Sequence, residues 1–87
     1  MISFSIYADL ERDLEEFERT KIFEVLDQII PGSGCVGKNK KDNHYEVYFS
    51  LKATSEKVAI KNANKYMKTI LKESEINVGY SIKTQKN

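Results

Sequence analysis

The chain has no tryptophan and only one cysteine, one proline and one histidine in 87 residues. A lone Cys35 closes no intramolecular disulfide, which excludes the cross-linked framework of small secreted domains and leads us to expect a cytoplasmic protein. One histidine and one cysteine do not furnish a tetrahedral metal site without carboxylates at unpatterned spacings, so neither metal nor cofactor is expected. No stretch approaches the roughly 20 apolar residues of a membrane span. The first ten residues also lack the basic start and long apolar core of a secretion signal, so the chain reads as mature and soluble, with no membrane partner. Neither sign of charge prevails: 14 Lys and Arg against 13 Asp and Glu give a net charge of +1, which supplies no global pull toward nucleic acid.

What is present is a division of that charge. From Met1 to Pro31 there are eight acidic and three basic residues, a balance of −5, and from Gly32 to Asn87 eleven basic and five acidic, a balance of +6. The molecule is therefore expected to be electrically bipolar. Its length allows one domain, residues 1–87, with a core of modest stability.

Periodicity orders the elements. Ile2, Phe4, Ile6 and Ala8 alternate with Ser3, Ser5 and Tyr7, as in a strand with one buried face. A helix capped by Asp9 or Asp13, the latter with Glu16 at capping-box spacing, should run to about Ile30. Its apolar face would comprise Leu10, Leu14, Phe17, Ile22, Val25, Leu26 and Ile29, with Phe23 and Ile30 at the edge. Pro31-Gly32 stops it. A short strand over 34–38 and a polar turn over 39–43 precede a third strand, in which Tyr45, Val47, Phe49 and Leu51 point inward and His44, Glu46, Tyr48 and Ser50 outward. Thr54 or Ser55 caps a second helix that ends near Ser74 and buries Ala59, Ala63, Tyr66, Met67 and Ile70. The last strand is placed at Ile76, Val78, Tyr80 and Ile82, with a frayed tail from Lys83.

The order βαββαβ, with right-handed crossovers, predicts an α+β two-layer sandwich of ferredoxin-like topology. Its four-stranded antiparallel sheet has order 4-1-3-2, and both helices lie on one face. The expected core unites Phe4, Ile6, Phe17, Val25, Leu26, Ile29, Val47, Phe49, Ala63, Tyr66, Met67, Ile70, Val78 and Tyr80. The other face of the sheet is left bare, with Tyr7, His44 and Tyr48 upon it. Such a fold hosts many unrelated activities, so function must come from surfaces.

Gly32-Ser33-Gly34-Cys35-Val36-Gly37 matches the spacing G-x-G-x-x-G, but it follows a helix and opens a strand, the reverse of a phosphate-cradling loop. Cys35 and His44 face each other only if the hairpin register allows it, with Glu46 as orienting carboxylate. No complete set of base, nucleophile and orienting group is identifiable, so no enzyme is expected. Tyr7 and Tyr48 stand where RNA-recognition domains stack bases. Yet His44-Tyr45-Glu46-Val47-Tyr48-Phe49 lacks the basic first position, the glycine and the doubled outward aromatics of that family.

Two charged ridges stand out. Asp13, Glu16, Glu24 and Asp27 follow the solvent side of the first helix, and Lys57, Lys61, Lys65, Lys68 and Lys72 that of the second. Like charges at such spacings cost about 0.2–0.5 kcal/mol per pair in an isolated helix.

The loop Ala8-Asp9-Leu10 lacks the arginine of acylphosphatases, and no C-x-x-C of heavy-metal-associated domains is present. The run Ile30-Pro31-Gly32-Ser33-Gly34-Cys35-Val36-Gly37, then a polar turn and Tyr45-Glu46-Val47-Tyr48-Phe49, resembles the helix, glycine turn and hairpin layout of small bacterial immunity-type proteins. That resemblance implies an intracellular inhibitor of a cognate toxin. The leading expectation is therefore a non-catalytic protein-binding module that meets a basic toxin through Asp13, Glu16, Glu24 and Asp27. The alternatives are a single-stranded RNA-binding domain using Tyr7, His44 and Tyr48 or the lysine ridge, and a small homodimeric enzyme or ligand-binding protein whose two sheets enclose a pocket.

Overall fold

The computed structural model describes residues 1–38 and 44–87, and the polar turn expected over 39–43 lies outside them. The elements are β1 (Ile2–Leu10), α1 (Glu16–Ile29), β2 (Cys35–Lys38), β3 (Tyr45–Ala53), α2 (Glu56–Ser74) and β4 (Tyr80–Lys86). The strands form one antiparallel sheet of order β2-β3-β1-β4, the ferredoxin-like arrangement expected. The inward rows of β1 and β3 pack under α1 and α2. Phe4, Ile6, Ala8 and Leu10 meet Val47, Phe49, Ile22, Leu26, Ala63, Met67 and Ile70 in a single core. At its centre the fully buried Phe49 takes Tyr66 of α2 edge-on, with ring centroids 6.0 Å apart.

Helix α2 is the firmly anchored one. Ser55 Oγ accepts the Val58 N–H at its start. At its end Glu75 adopts a left-handed conformation (φ 59°), so that Glu75 N–H reaches the Lys72 carbonyl and Ile76 N–H the Leu71 carbonyl. Helix α1 buries only Ile22 and Leu26 completely. The chain leaving it turns at Gly32 (φ 76°) and passes so close to the core that a Cβ on Gly34 would lie 2.6 Å from Leu26 Cδ2. The first two glycines of the G-x-G-x-x-G spacing are thus explained by a helix stop and a close backbone approach.

Four local expectations are corrected. Strand β1 continues to Leu10, which faces the core as a strand residue and is not part of the helix. Helix α1 accordingly starts at Glu16, and Glu15 is its N-cap in place of Asp9 or Asp13. Phe17 is 67% exposed and outside the core, because it precedes Ile22 by five residues, a rotation of about 140° from the buried stripe. Strand β4 begins at Tyr80, after the left-handed turn at Glu75. Its last four residues, expected to fray, pair with β1 as far as Lys86 opposite Phe4, and Asn87 N–H donates to the Ser3 carbonyl at 3.0 Å.

Candidate functional site

The outer surface of α1 is built by what the helix does not need for packing. With Ile22 and Leu26 turned inward, Glu16, Phe17, Thr20, Phe23, Glu24 and Asp27 are all exposed. Phe17 and Phe23, at 67% and 44% exposure, are the two large aromatic side chains turned outward on this helix. Glu15, Glu16, Phe17, Thr20, Lys21 and Glu24 line a shallow open depression there.

The carboxylates around it divide into free and engaged ones. Glu18 accepts two hydrogen bonds from the Arg12 guanidinium, at 3.0 and 2.7 Å, and a third from the Glu15 N–H at 2.9 Å. Arg12 is the largest influence and the backbone donor the next, and together they hold the Glu18 carboxyl at about 2. Glu18 therefore fixes the start of α1. Asp13, expected on the helical ridge, lies in the loop before it. Its Oδ1 accepts the Leu14 N–H at 2.9 Å and its Oδ2 sits 3.9 Å from Lys38 Nζ. Asp27 remains on α1 while its Oδ1 accepts the Gly32 N–H at 3.2 Å. Glu16 and Glu24 lie beside Phe17, within the depression.

The open sheet face is a second, differently organised surface. Tyr7 and Tyr48 are directly opposite in the register of β1 and β3, with ring centroids 5.2 Å apart and planes inclined at 53°. Tyr48 Oη lies 3.4 Å from Ser5 Oγ and 3.5 Å from Ser50 Oγ, and these contacts, Ser5 first, draw its phenol below the usual 10.0. Ser5 in turn donates to Asn87 Oδ1 at 2.7 Å, so much of the polar capacity around the tyrosines is already used. Lys83 of β4 stands opposite Tyr7 but is drawn to Asp9, 3.7 Å away, and Asp9 is itself opposite Glu46. The one lysine beside the tyrosines is thus matched by Asp9, with Glu46 across from it.

Cys35 is exposed and sits opposite Tyr48, four residues along the chain from His44, or about 13 Å at the rise of a strand. The register therefore does not bring Cys35 and His44 together as a dyad. His44 lies half-buried just before β3. Among the described residues no group of three or more His, Cys, Asp or Glu is arranged to hold a metal ion, and no helix is long and apolar enough to cross a membrane. Lys57, Lys61, Lys65, Lys68 and Lys72 are all exposed on α2, in the helical layer and away from the open sheet face. Tyrosine platform and lysine ridge are therefore separate surfaces.

No family model and no curated protein matches the chain. Among solved structures, a de novo designed protein with ferredoxin fold, determined by solution NMR, is similar at 18% identity and a TM-score of 0.49, over 100% of this chain and 86% of the designed one. The fold assignment rests on the element and strand order given above.

Two features of this surface do not follow from periodicity. Leu10 and Leu14 extend the apolar spacing upstream of the true helix and so draw Phe17 into the expected core. The partner of Glu18, Arg12, precedes the helix and lies outside its spacing. The signal for the second was present as Glu15 and Glu18, three apart at a helix start.

Proposed function

We propose that this chain is a non-catalytic protein-binding module whose working surface is the outer face of α1, and that its partner is a basic protein. An immunity-type inhibitor that neutralises a basic toxin is the specific form of this reading. The observation that carries it is Phe17, exposed at 67% among Glu16, Thr20 and Glu24. A large aromatic held mostly in water on a helix forgoes up to about 1.5–3 kcal/mol of burial, which a partner recovers on docking. Carboxylates around it steer a positively charged partner and accelerate encounter, as they would in occupying a field meant for phosphates.

The test is recovery of a partner from cells producing the tagged chain, with Phe17→Ser as the comparison. A basic protein that accompanies the wild type and is lost with Phe17→Ser, while the circular dichroism of the variant is unchanged, supports the reading. A partner retained equally by both removes α1 as the docking surface.

The runner-up, single-stranded RNA on the sheet, draws on one observation, the placement of Lys83 opposite Tyr7. Against it stand Asp9, which engages that lysine, and Glu46 across from Asp9. An RNA titration of wild type against Tyr7→Ala and Tyr48→Ala separates the two readings. Sedimentation of the same samples tests the third, a homodimer closed over the two tyrosines.

A further inference from the structure

Strand β2 is too short for its neighbour. It pairs only with Tyr45 to Tyr48, while β3 continues for five more residues, Phe49 to Ala53, paired with β1 on its other side. Among the described residues no strand lies along those five on the β2 side. Alternate residues there turn backbone N–H and C=O groups toward that open edge, and such groups require partners. Beside this edge is a cleft of about 310 Å³ between the end of α1, β3 and α2, with Ile29, Ile30, Leu51 and Tyr66 as its apolar lining and Asn62 and Lys52 as its polar one.

Lys52 is the one charged residue among those that line the cleft. The same helix that supplies Asn62 and Tyr66 exposes Lys57, Lys61 and Lys65, and no acidic residue occurs from Lys57 to Lys72. An open strand edge gives backbone hydrogen bonds, an adjacent apolar cleft takes one side chain of every alternate pair, and flanking cations select the charge of what is added.

We propose that the edge of β3 from Phe49 to Ala53 is a docking site for an extended acidic segment of a partner protein. The segment adds to the sheet as a strand in line with β2, seats one apolar side chain between Ile30, Leu51 and Tyr66 on the helix side, and turns the alternate carboxylates to the other side, against Lys52. This surface is distinct from the outer face of α1 and does not depend on the reading given for it.

The probe is a capped seven-residue peptide that alternates glutamate and valine with a central leucine, titrated into the isotope-labelled full chain and followed by NMR. Saturable shifts centred on Phe49 to Ala53 are expected, with slowed amide exchange in that stretch. Methylating alternate peptide nitrogens, which removes donors along one edge, should weaken binding by on the order of tenfold or more. Lysine in place of glutamate in the peptide should do the same, and Lys52→Glu, at an exposed position, should reverse the preference between the two peptides. The proposal is overturned by the absence of saturable shifts in this stretch at millimolar peptide, by shifts confined to β4, by equal affinity for the methylated peptide, or by an unchanged charge preference in Lys52→Glu.

Discussion

Arg12 and Glu18 are joined by two hydrogen bonds, 3.0 and 2.7 Å long, that clamp the loop after β1 onto the first turn of α1. Because Glu18 also accepts the Glu15 N–H, one carboxylate both caps the helix and holds the loop that leads into it. The folded carboxyl titrates at about 2 against an ordinary 4.5, a depressed value. Its contribution to stability is therefore fully present above 4.5 and is lost as pH falls toward 2. A carboxyl NMR titration of Glu18 should place its midpoint well below the ordinary 4.5, and the protection of the Glu15 amide against exchange should fall over the same range. Glu18→Ala should cost about 0.5–2 kcal/mol in urea unfolding at neutral pH, the usual worth of a helix cap.

Phe49 and Phe17 offer a contrast that sequence periodicity does not anticipate. Phe49 is fully buried against Tyr66, so Phe49→Ala should cost about 3–5 kcal/mol, a large share of the stability of a domain this small. Phe17→Ala should change stability by less than about 0.5 kcal/mol, because the ring already lies in water. Equal losses for the two variants in urea denaturation would return Phe17 to the core.

The difference between these two phenylalanines marks how far the sequence was legible. Strand register came through where one face is buried and the period is two. Tyr45, Val47 and Phe49 point inward, and Tyr7 meets Tyr48 across the open face, as alternation requires. Element ends did not, because Leu10, Leu14 and Phe17 have helical spacing although a strand and a loop hold the first two. The left-handed turn at Glu75 was equally hidden, since a glutamate there carries none of the usual glycine signal, and the onset of β4 moved to Tyr80 as a result. Of the acidic ridge, Glu16, Glu24 and Asp27 follow from helical spacing, whereas the placement of Asp13 depended on where the helix begins.

Glu75 itself gives a second stability test. A side chain at φ 59° bears a steric cost that glycine escapes, and the Schellman-type bonds from Glu75 and Ile76 to α2 need only the backbone. Glu75→Gly should therefore stabilise the fold by about 0.5–1 kcal/mol, read as a higher urea midpoint with an unchanged slope. A lower midpoint would mean that the glutamate side chain contributes more than its conformation costs.

Two tyrosines should titrate on opposite sides of the ordinary value. Contacts with the Ser5 and Ser50 hydroxyls, Ser5 first, draw the Tyr48 phenol down, whereas burial disfavours ionisation of Tyr80, whose hydroxyl donates to Asn64 Oδ1 at 3.2 Å. Tyrosine absorbance against pH should resolve Tyr48 below 10.0 and Tyr80 above it, assigned with Tyr48→Phe and Tyr80→Phe. For Tyr80 the raised folded value means that the unfolded chain ionises first, so its share of stability is present below 10.0 and lost as pH rises through the folded value. Ser5→Ala should move Tyr48 upward and leave Tyr80 in place.

The two charged helix faces make the decisive functional comparison, because each can be altered without touching the core. Reversing Glu16, Glu24 and Asp27 to lysine changes exposed positions of α1. Asp27 also accepts the Gly32 N–H, so a variant confined to Glu16 and Glu24 guards against a local effect on that turn. If α1 meets a basic partner, both variants should slow association and flatten its dependence on salt, with little change in the dissociation rate, because rim charges act mainly on encounter. Neutralising Lys61, Lys65 and Lys68 removes charge from the other helix and should leave that encounter nearly unaltered. Nucleic-acid affinity owed to α2 would behave in the opposite manner, falling with the lysines and losing part of its salt slope. Surface plasmon resonance across a salt series therefore separates the two readings in one experiment. A salt slope that follows the lysines and ignores Glu16 and Glu24 would reassign function from the acidic helix to the basic one.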